Sequence, residues 1–250
     1  MNLRSIREKE SVDRSDIYQK SEAWHQSYAH VFQCPNSMRH EATLQKIIGD
    51  RISGKRVLDI GCGYGGSSID LLEQQASYVM GVDISERFIA TARNYAQKDR
   101  LDFILHDISQ PISGQYDLIF GRAILHQLDY QEVLQRLYRD NLNPGGSMIF
   151  MEPLGSNPLL KLYWWIAKDA HTPDERPFMR SDLRWLQSQF EQFTLIPINC
   201  FSLPLGILSS KLLSRPDNLL MQLADWLDTK LANIKYLQAE YRQAIFVIGK

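Results

Sequence analysis

A glycine-rich loop is the first feature of this sequence whose residues can do chemistry. Residues 57–60 form an apolar run typical of a buried strand, and they lead directly into the loop 61–66, Gly-Cys-Gly-Tyr-Gly-Gly. Glycine tolerates positive φ and has no side chain, so such a loop turns sharply and lets a ligand touch backbone. Ligands of open α/β sheets lie beyond the carboxyl ends of the strands, where we expect this loop to stand.

Three acids lie at the ends of three successive predicted strands. Asp59 lies two residues before the first glycine, Asp83 comes 18 residues after Gly65, and Asp107 follows the third strand. A carboxylate at Asp83 can accept both hydroxyl protons of a ribose, and one at Asp107 can accept from an exocyclic adenine amine, with Ile108 against the ring. Each acid also has a simpler reading, as a turn cap, a helix cap or an Asx-turn. Their joint placement favours a nucleoside site.

The glycines alone leave two cofactor classes open. Gly61, Gly63 and Gly66 satisfy G-x-G-x-x-G, so an NAD(P)-dependent oxidoreductase is one alternative. The carboxylate of Asp59 would repel a bound pyrophosphate. S-adenosylmethionine has no phosphate and carries a sulfonium and an ammonium group, so the same carboxylate is tolerable or helpful beside it. A further alternative is a non-catalytic adenosylmethionine-binding subunit.

Other residues can act on a second substrate. His126 follows the fourth predicted strand, where histidine suits a general base at neutral pH or simply holds local backbone. Glu152 ends the fifth strand and can orient a substrate amine or hydroxyl, or satisfy backbone groups before Pro153. Aromatic side chains can line a greasy acceptor pocket, with ordinary packing as the alternative. The candidates for that pocket are Tyr18, Tyr28, Tyr163 and Trp164.

The elements that must position these residues alternate from Lys55 onward between short strand-like runs and helical ones. We predict an α/β fold: a Rossmann-like, doubly wound sheet of seven strands, mostly parallel with an antiparallel last strand, plus a helical cap. Val133, Leu134 and Leu137 fall at helical spacing, and so do the leucines from Leu220 to Leu231 with Ile234. The predicted strands are 56–60, 78–82, 101–105, 116–120, 147–151, 193–198 and 244–248.

The predicted domains are an N-terminal helical cap or arm at 1–54 and a Rossmann-like domain at 55–250. Cap insertions are expected at about 153–190 and 202–240. The turn-rich stretch after Met151 and the aromatic run 163–165 mark the first insertion.

Composition narrows the class of partner. Of the 250 residues, 28 are Lys or Arg and 29 are Asp or Glu, so a formal net charge of -1 gives no broad attraction to nucleic acid or to an anionic membrane. The scattered cysteines Cys34, Cys62 and Cys200 predict a reducing compartment rather than a disulfide framework. Neither a secretory leader nor an apolar run of about 18 residues is evident, so we expect a cytoplasmic protein.

No metal site is predicted. His171, Asp174 and Glu175 are ligand types, but they stand in a proline-rich loop without a partner cluster. The expected partner is a small-molecule substrate, with no nucleic acid and no membrane, and the sequence leaves the oligomeric state open.

The chain resembles the class I, type 11 methyltransferase family in five ordered motifs over residues 55–153: VLDIGCGYGGSS, GVDIS, LHDI, YDLIFGRAILHQL and LNPGGSMIFMEP. The resemblance implies S-adenosylmethionine as donor and S-adenosylhomocysteine as product. Beyond Glu152, the segments EPLGSNPL and TPDERP are similar to those of bacterial small-molecule methyltransferases of secondary metabolism. The expected reaction is methyl transfer to an oxygen or nitrogen of a hydrophobic small molecule.

The resemblance also implies roles for individual residues. In such enzymes Asp59, Gly61 and Gly63 lie by the methionine part of the donor, and Gly121 or Arg122 lies near its centre. Asp83 is expected on the ribose, and Asp107 with Ile108 on the adenine. The full predicted cofactor-binding set is Asp59, Gly61, Cys62, Gly63, Gly65, Asp83, Ile84, Asp107, Ile108, Gly121 and Arg122, and the predicted catalytic residues are His126 and Glu152.

Overall fold

A computed structural model describes residues 26–157 and 176–250 of the chain. Its strands are Arg56–Ile60 (β1), Tyr78–Asp83 (β2), Leu101–Leu105 (β3), Tyr116–Arg122 (β4), Leu142–Pro153 (β5), Gln192–Ile198 (β6) and Gln243–Gly249 (β7). They form one seven-stranded sheet in the order β3-β2-β1-β4-β5-β7-β6, in which β7 runs antiparallel to both neighbours and the other pairings are parallel. The predicted fold class is confirmed.

All seven predicted strands are present, and the largest difference lies in β5. The predicted span 147–151 is the part that pairs regularly with β4, from Leu118↔Ser147 to Arg122↔Met151. The strand also includes an earlier bridge, Tyr116↔Leu142, followed by a register shift. The Asn-Pro-Gly-Gly turn at 143–146 lies between this bridge and the regular pairing, and Gly145 in it has a φ of +75.

Helices cover both faces of the sheet. Their bounds are Ala29–Phe32 (α1), Pro35–Ile52 (α2), Gly66–Glu73 (α3), Glu86–Ala92 (α4), Tyr130–Arg136 (α5), Arg180–Gln189 (α6), Ser202–Leu212 (α7) and Leu219–Leu231 (α8). Successive side chains of a strand point to opposite faces, so Val57 packs in the cluster with α2, α3 and α4, and Leu58 in the cluster with α5 and α6. The two apolar layers are what makes the sheet doubly wound.

The cap helices stand at one edge of the sheet. Because β6 runs in the same direction as β1, its last residue, Ile198, lies at the carboxyl edge, and α7 follows four residues later. Helix α1 packs on α7, and α8 packs on α7 and α2. The predicted helical region is observed as α8, although Ile234 lies beyond its end.

Some predictions fall outside the described residues, namely those for Tyr18, Tyr163 and Trp164 and for the loop with His171, Asp174 and Glu175. Within residues 26–157 and 176–250, none of the helices has the length and apolar character needed to span a bilayer.

Candidate active site

The glycine loop is pinned to the neighbouring strand β2. The backbone N–H groups of Gly61 and Cys62 both donate to Val82 O, at 2.8 and 3.0 Å. Gly61, Gly63 and Gly65 have φ values of +67, +53 and +88, a region that favours glycine. A side chain at Gly65 would also meet Phe103 at 2.8 Å, whereas at Gly63 nothing lies within 4 Å of the Cβ position. The loop is therefore packed below Gly65 and open at Gly63.

Asp83 ties this loop to helix α4. Its Oδ2 accepts from Gly63 N and its Oδ1 from Ser85 N, both at 2.9 Å. Ser85, rather than Asp83, then caps α4 by accepting from Phe88 N. A carboxylate oxygen has two lone pairs, so an aspartate can accept from ribose hydroxyls as well as from backbone donors.

Asp59 lies under the loop. Its side chain is 1% exposed, and its Oδ2 accepts from Ser68 Oγ of α3 at 2.6 Å. Burial raises the pKa of Asp59 to about 7; the Ser68 bond opposes the rise and the charge of Asp83 adds to it. Cys62 is also buried, and burial raises the pKa of its thiol well above the ordinary value, so this cysteine stays protonated.

Asp107 has one oxygen bound and one left over. Its Oδ1 accepts from Ser109 N at 2.9 Å, which is the Asx-turn alternative, while its Oδ2 is buried and has no hydrogen-bond partner among the described residues. Arg136 of α5 holds this turn by donating to Ser109 O at 2.8 Å and to Ile108 O. An unpaired buried acceptor is costly, so the turn presents a carboxylate oxygen that a ligand amine would satisfy.

A strained turn faces the glycine loop from the end of β4. Ala123 has φ +54, unusual for a residue with a Cβ, and its N–H donates to Met151 O at 2.9 Å. The next side chain, Ile124, packs 2.8 Å from the Cβ position of Gly61. Gly121 is enclosed by Ile124, Ile60 and Phe150 side chains. The close packing explains why a residue without a side chain stands at position 121. That Gly121 lies near the bound donor stays a prediction.

Glu152 organises that turn from below. The side chain is fully buried, and its carboxylate accepts from the backbone N–H groups of Ile124 at 3.0 Å, Leu125 at 2.8 Å and His126 at 3.4 Å. It also bonds His126 Nδ1 at 2.8 Å. In a neutral imidazole, donation from Nδ1 leaves the basic lone pair on Nε2. Glu152 thus accepts hydrogen bonds from backbone groups, which was one of the two interpretations of this residue. Its bond to Nδ1 also fixes the orientation of the His126 ring.

Arg122 connects the end of β4 to the N-terminal helices. Its guanidinium forms an ion pair with Glu41 of α2 and lies 3.4 Å from Met151 Sδ. Both charged side chains are more than a third exposed, so the pair contributes little to stability. It does place a cation at the carboxyl edge, beside the loop.

The fold brings most of the predicted site residues to one edge of the sheet. Residues 59–65, 83–84, 107–108, 121–122, 126 and 152 all lie at or just beyond the carboxyl ends of β1 to β5. Tyr28 belongs to the cap, where it is half-buried with Val31 and Leu203 between α1 and α7, and its substrate role stays a prediction.

Sequence reasoning missed the partners that hold the acids. Ser85 had a readable signal, because a serine just before Glu86 and an apolar run is a typical helix cap. No sequence signal pointed to Ser68 or Arg136. Each is brought to its partner by the fold, because Ser68 and Asp59 are 9 residues apart and Arg136 and Ser109 are 27 apart.

The arrangement fits S-adenosylmethionine. The open side of Gly63 gives room for close backbone approach, and the unpaired Asp107 Oδ2 matches an adenine amine. Asp83 can serve hydroxyls, and the carboxylate of Asp59 suits a nearby cation. Within the described part of the chain, no group of three or more His, Cys, Asp or Glu residues is arranged to hold a metal ion.

Comparison with known proteins supports this fit. A family model described as "Methyltransferase domain" matches residues 52–183, more than half of the chain. A highly reducing polyketide synthase of Purpureocillium lilacinum is 29% identical over 58% of this chain and 6% of its own length. A ubiquinone biosynthesis O-methyltransferase of Acinetobacter baumannii is 26% identical over 45% of this chain and 49% of its own length. The chain therefore spans about half or less of these relatives.

A solved structure shares the fold. Phosphoethanolamine N-methyltransferase 2 of Haemonchus contortus, in complex with phosphomonomethylethanolamine and S-adenosylhomocysteine, is 19% identical with a TM-score of 0.60, covering 97% of this chain and 59% of that one. The predictions of a methyltransferase and of S-adenosylmethionine as its cofactor are confirmed, and the oxidoreductase alternative is set aside. The chain belongs to the methyltransferase-domain family of S-adenosylmethionine-dependent enzymes.

Proposed function

We propose that this chain is a cytoplasmic methyltransferase that methylates an oxygen of a hydrophobic small molecule in secondary metabolism, with a nitrogen as the second candidate. The observation that carries the choice of oxygen is the buried Glu152–His126 pair, at 2.8 Å, in a turn packed against the glycine loop. A hydroxyl keeps its proton at neutral pH and needs a base, whereas a neutral amine already has a lone pair.

Each residue at the edge has one task in this reaction. Asp83 and Asp107 hold the ribose and the adenine, and Asp59 lies behind the loop as a counter-charge. When bound, S-adenosylmethionine supplies an electrophilic methyl group on its sulfonium. His126 takes the acceptor proton at Nε2, and Glu152 stabilises the imidazolium through Nδ1. Because the donor is intrinsically reactive, alignment of the two reactants and exclusion of water supply most of the rate.

The proposed acceptor class rests on the relatives and on the caps. One relative is named for polyketide synthesis and another for O-methylation in ubiquinone biosynthesis, which favours acceptors with a large apolar part. We propose that residues 1–54 and the insertions at about 153–190 and 202–240 build the acceptor side. Tyr28 with Tyr18, Tyr163 and Trp164 would supply its aromatic lining.

The acceptor can be identified by turnover. The enzyme is incubated with S-adenosylmethionine carrying a trideuterated methyl group and with a metabolite extract fractionated by polarity. Mass spectrometry then finds the compound that gains the label, and its NMR spectrum distinguishes O-, N- and C-methyl products. We expect an O-methyl product in an apolar fraction. Labelling of a polar metabolite would contradict the proposed class, and donor binding without any labelling would favour a non-catalytic subunit.

The role of His126 needs a separate test once an acceptor is known. His126→Gln should lower kcat by roughly 10² to 10⁴ with a hydroxyl acceptor and leave the dissociation constant of the donor unchanged. It should also remove the acidic limb of the pH–rate profile. Glu152→Gln is the matched variant, because it keeps an acceptor for the backbone of the turn and removes the charge that faces His126. Unchanged kcat in His126→Gln would refute the base.

A further inference from the structure

Helix α7 exposes an apolar stripe to its surroundings. Its buried residues are Ser202, Leu203, Gly206 and Ser209, whereas Leu208 and Leu212 are exposed. Phe201 and Pro204 precede them on the same exposed side, so the stripe recurs at spacings of three, four and four residues. The outer side of a surface helix is normally polar, so an apolar stripe on the exposed side of α7 is unusual.

Helix α8 continues the pattern. It buries Met221, Ala224 and Asp228 and exposes Leu219, Leu223 and Trp226 at helical spacing. Leu213, in the short connection between the two helices, is exposed as well. These residues lie on two helices that pack against each other and on the connection between them. We call them the apolar cap face, and each is between 38% and 83% exposed: Phe201, Leu208, Leu212, Leu213, Leu219, Leu223 and Trp226. Single exposed leucines are common, but seven large apolar residues within 26 positions mark an interaction site.

Three basic residues lie on or next to this face. Lys211 lies on its flank, Arg215 in the connection, and Lys230 one turn beyond Trp226 on the same stripe; all three are exposed, and none forms an ion pair with a described residue. The nearby acids are engaged elsewhere. Asp228 is buried among backbone donors, and Asp225 is paired with Arg39. Among the described residues, the remaining acid of α7, α8 and their connection is Asp217, which accepts a hydrogen bond from Gln222.

We propose that the apolar cap face docks reversibly on the surface of an anionic lipid bilayer. Leucine and tryptophan side chains would enter the headgroup and acyl boundary, while Lys211, Arg215 and Lys230 extend their charged ends toward lipid phosphates. The net charge of -1 led the sequence to predict no membrane partner, but that figure averages over the chain. Local charge, not the average, governs binding at one surface.

Charge also selects the bilayer over a second copy of the chain. A two-fold dimer through this face would bring the cations of one copy against the same cations of the other. Like charges in a shared interface oppose association, and the face offers few free acids to balance them. An anionic lipid surface supplies the missing negative charge and an apolar layer at once.

The location gives this docking a use. Helix α7 starts four residues after β6 ends, at the same edge of the sheet as the glycine loop and His126. Docking through α7 and α8 would hold the carboxyl edge near the bilayer, where apolar molecules concentrate.

Vesicle flotation with the full chain tests the proposal. The chain is mixed with vesicles of phosphatidylcholine alone and of phosphatidylcholine with phosphatidylglycerol, at low and high salt. We expect flotation with the anionic vesicles, weakened by salt. Lys211→Gln and Lys230→Gln should each weaken binding roughly fivefold, and Leu223→Gln with Trp226→Gln should abolish it. Tyr95→Gln and Lys98→Gln remove an exposed aromatic and an exposed cation elsewhere, and should float like the parent chain.

Three outcomes would overturn the proposal. The first is the absence of flotation with anionic vesicles. The second is flotation that the cap variants and the control variants reduce equally. The third is concentration-dependent self-association, seen by sedimentation velocity, that Leu223→Gln with Trp226→Gln removes while vesicle binding persists. Circular dichroism of every variant excludes loss of fold as the cause.

Discussion

The donor edge and the helical cap use carboxylates in opposite ways. At the donor edge, Asp83 accepts from Ser85 N and from Gly63 N of the glycine loop, while Asp107 accepts from Ser109 N and keeps one oxygen without a partner among the described residues. In the cap, Asp228 accepts from the N–H groups of Cys200, Phe201 and Ser202 and from Asn36, which is 192 residues away. At the donor edge, an oxygen of Asp107 is available to a ligand, whereas the oxygens of Asp228 are bonded to groups that hold the cap together.

The donor-edge carboxylates therefore serve ligand binding, whereas the cap carboxylate serves the folding of the cap. A ligand site needs acceptors whose bonding is incomplete before the ligand arrives, as at the Asx-turn of Asp107. A cap made of two helix pairs needs an internal cross-link, which Asp228 supplies between α2, α7 and α8. Mutations in the two regions should therefore have separable effects, on ligand affinity in one case and on folding in the other.

The largest effect is expected for Asp228→Ala. The change removes the acceptor of the N–H groups of residues 200–202 and of the buried Ser202 hydroxyl and Asn36 amide, so the free energy of unfolding should fall by roughly 3 kcal/mol or more. Chemical denaturation measures this loss. Asp225→Ala is the matched control, because it removes an exposed ion pair with Arg39 and should cost less than about 1 kcal/mol. If the stability of the Asp228 variant matched that of the control, the cross-link would be refuted.

Asp83→Ala should lower ligand affinity more than it lowers stability. Each ribose hydroxyl bond to a carboxylate is a charge-assisted one, so loss of both should weaken S-adenosylhomocysteine binding by roughly 100-fold. Isothermal titration calorimetry measures the affinity. Ser85→Ala, which removes the cap of α4 and leaves Asp83 in place, should lower stability by about 1 kcal/mol and change donor affinity little. Unchanged donor affinity in Asp83→Ala would overturn the ribose assignment.

The same contrast explains what the sequence could predict. The glycine loop, the seven strands and the acids at strand ends depend on signals a few residues long, and the structure has them where expected. For Glu152, the sequence left two readings open, because the three backbone groups it binds lie 26 to 28 residues away. In α8, helical spacing predicted the helix but not its buried side, which is set by contacts with α2 and α7. Which side of α8 is buried depends on the helices that pack against it, and α2 is distant from α8 in the sequence.

A smaller effect is expected for Asp107→Asn. The asparagine oxygen can still accept from Ser109 N, while the amide nitrogen replaces the unpaired Oδ2 and faces the adenine amine with a second donor. S-adenosylhomocysteine should bind about tenfold more weakly. S-inosylhomocysteine, which has a carbonyl oxygen in place of the amine, is the matched ligand, and it should gain affinity in the variant. Equal losses for both ligands would place Asp107 away from the base.

The smallest effect is a pH dependence of donor affinity that arises from Asp59. Its pKa, raised to about 7 by burial, makes the carboxyl largely protonated in the free enzyme below neutrality. A bound sulfonium and ammonium favour the ionised form, so binding must release a proton below pH 7, and affinity should rise by roughly threefold between pH 6.5 and 7.5. Calorimetry in buffers of different ionisation enthalpy counts the released proton. The release should be larger for S-adenosylmethionine than for S-adenosylhomocysteine, which lacks the sulfonium charge. Asp59→Asn keeps an acceptor for Ser68 and should show a flat profile, whereas a profile identical to that of the parent chain would assign the proton to another group.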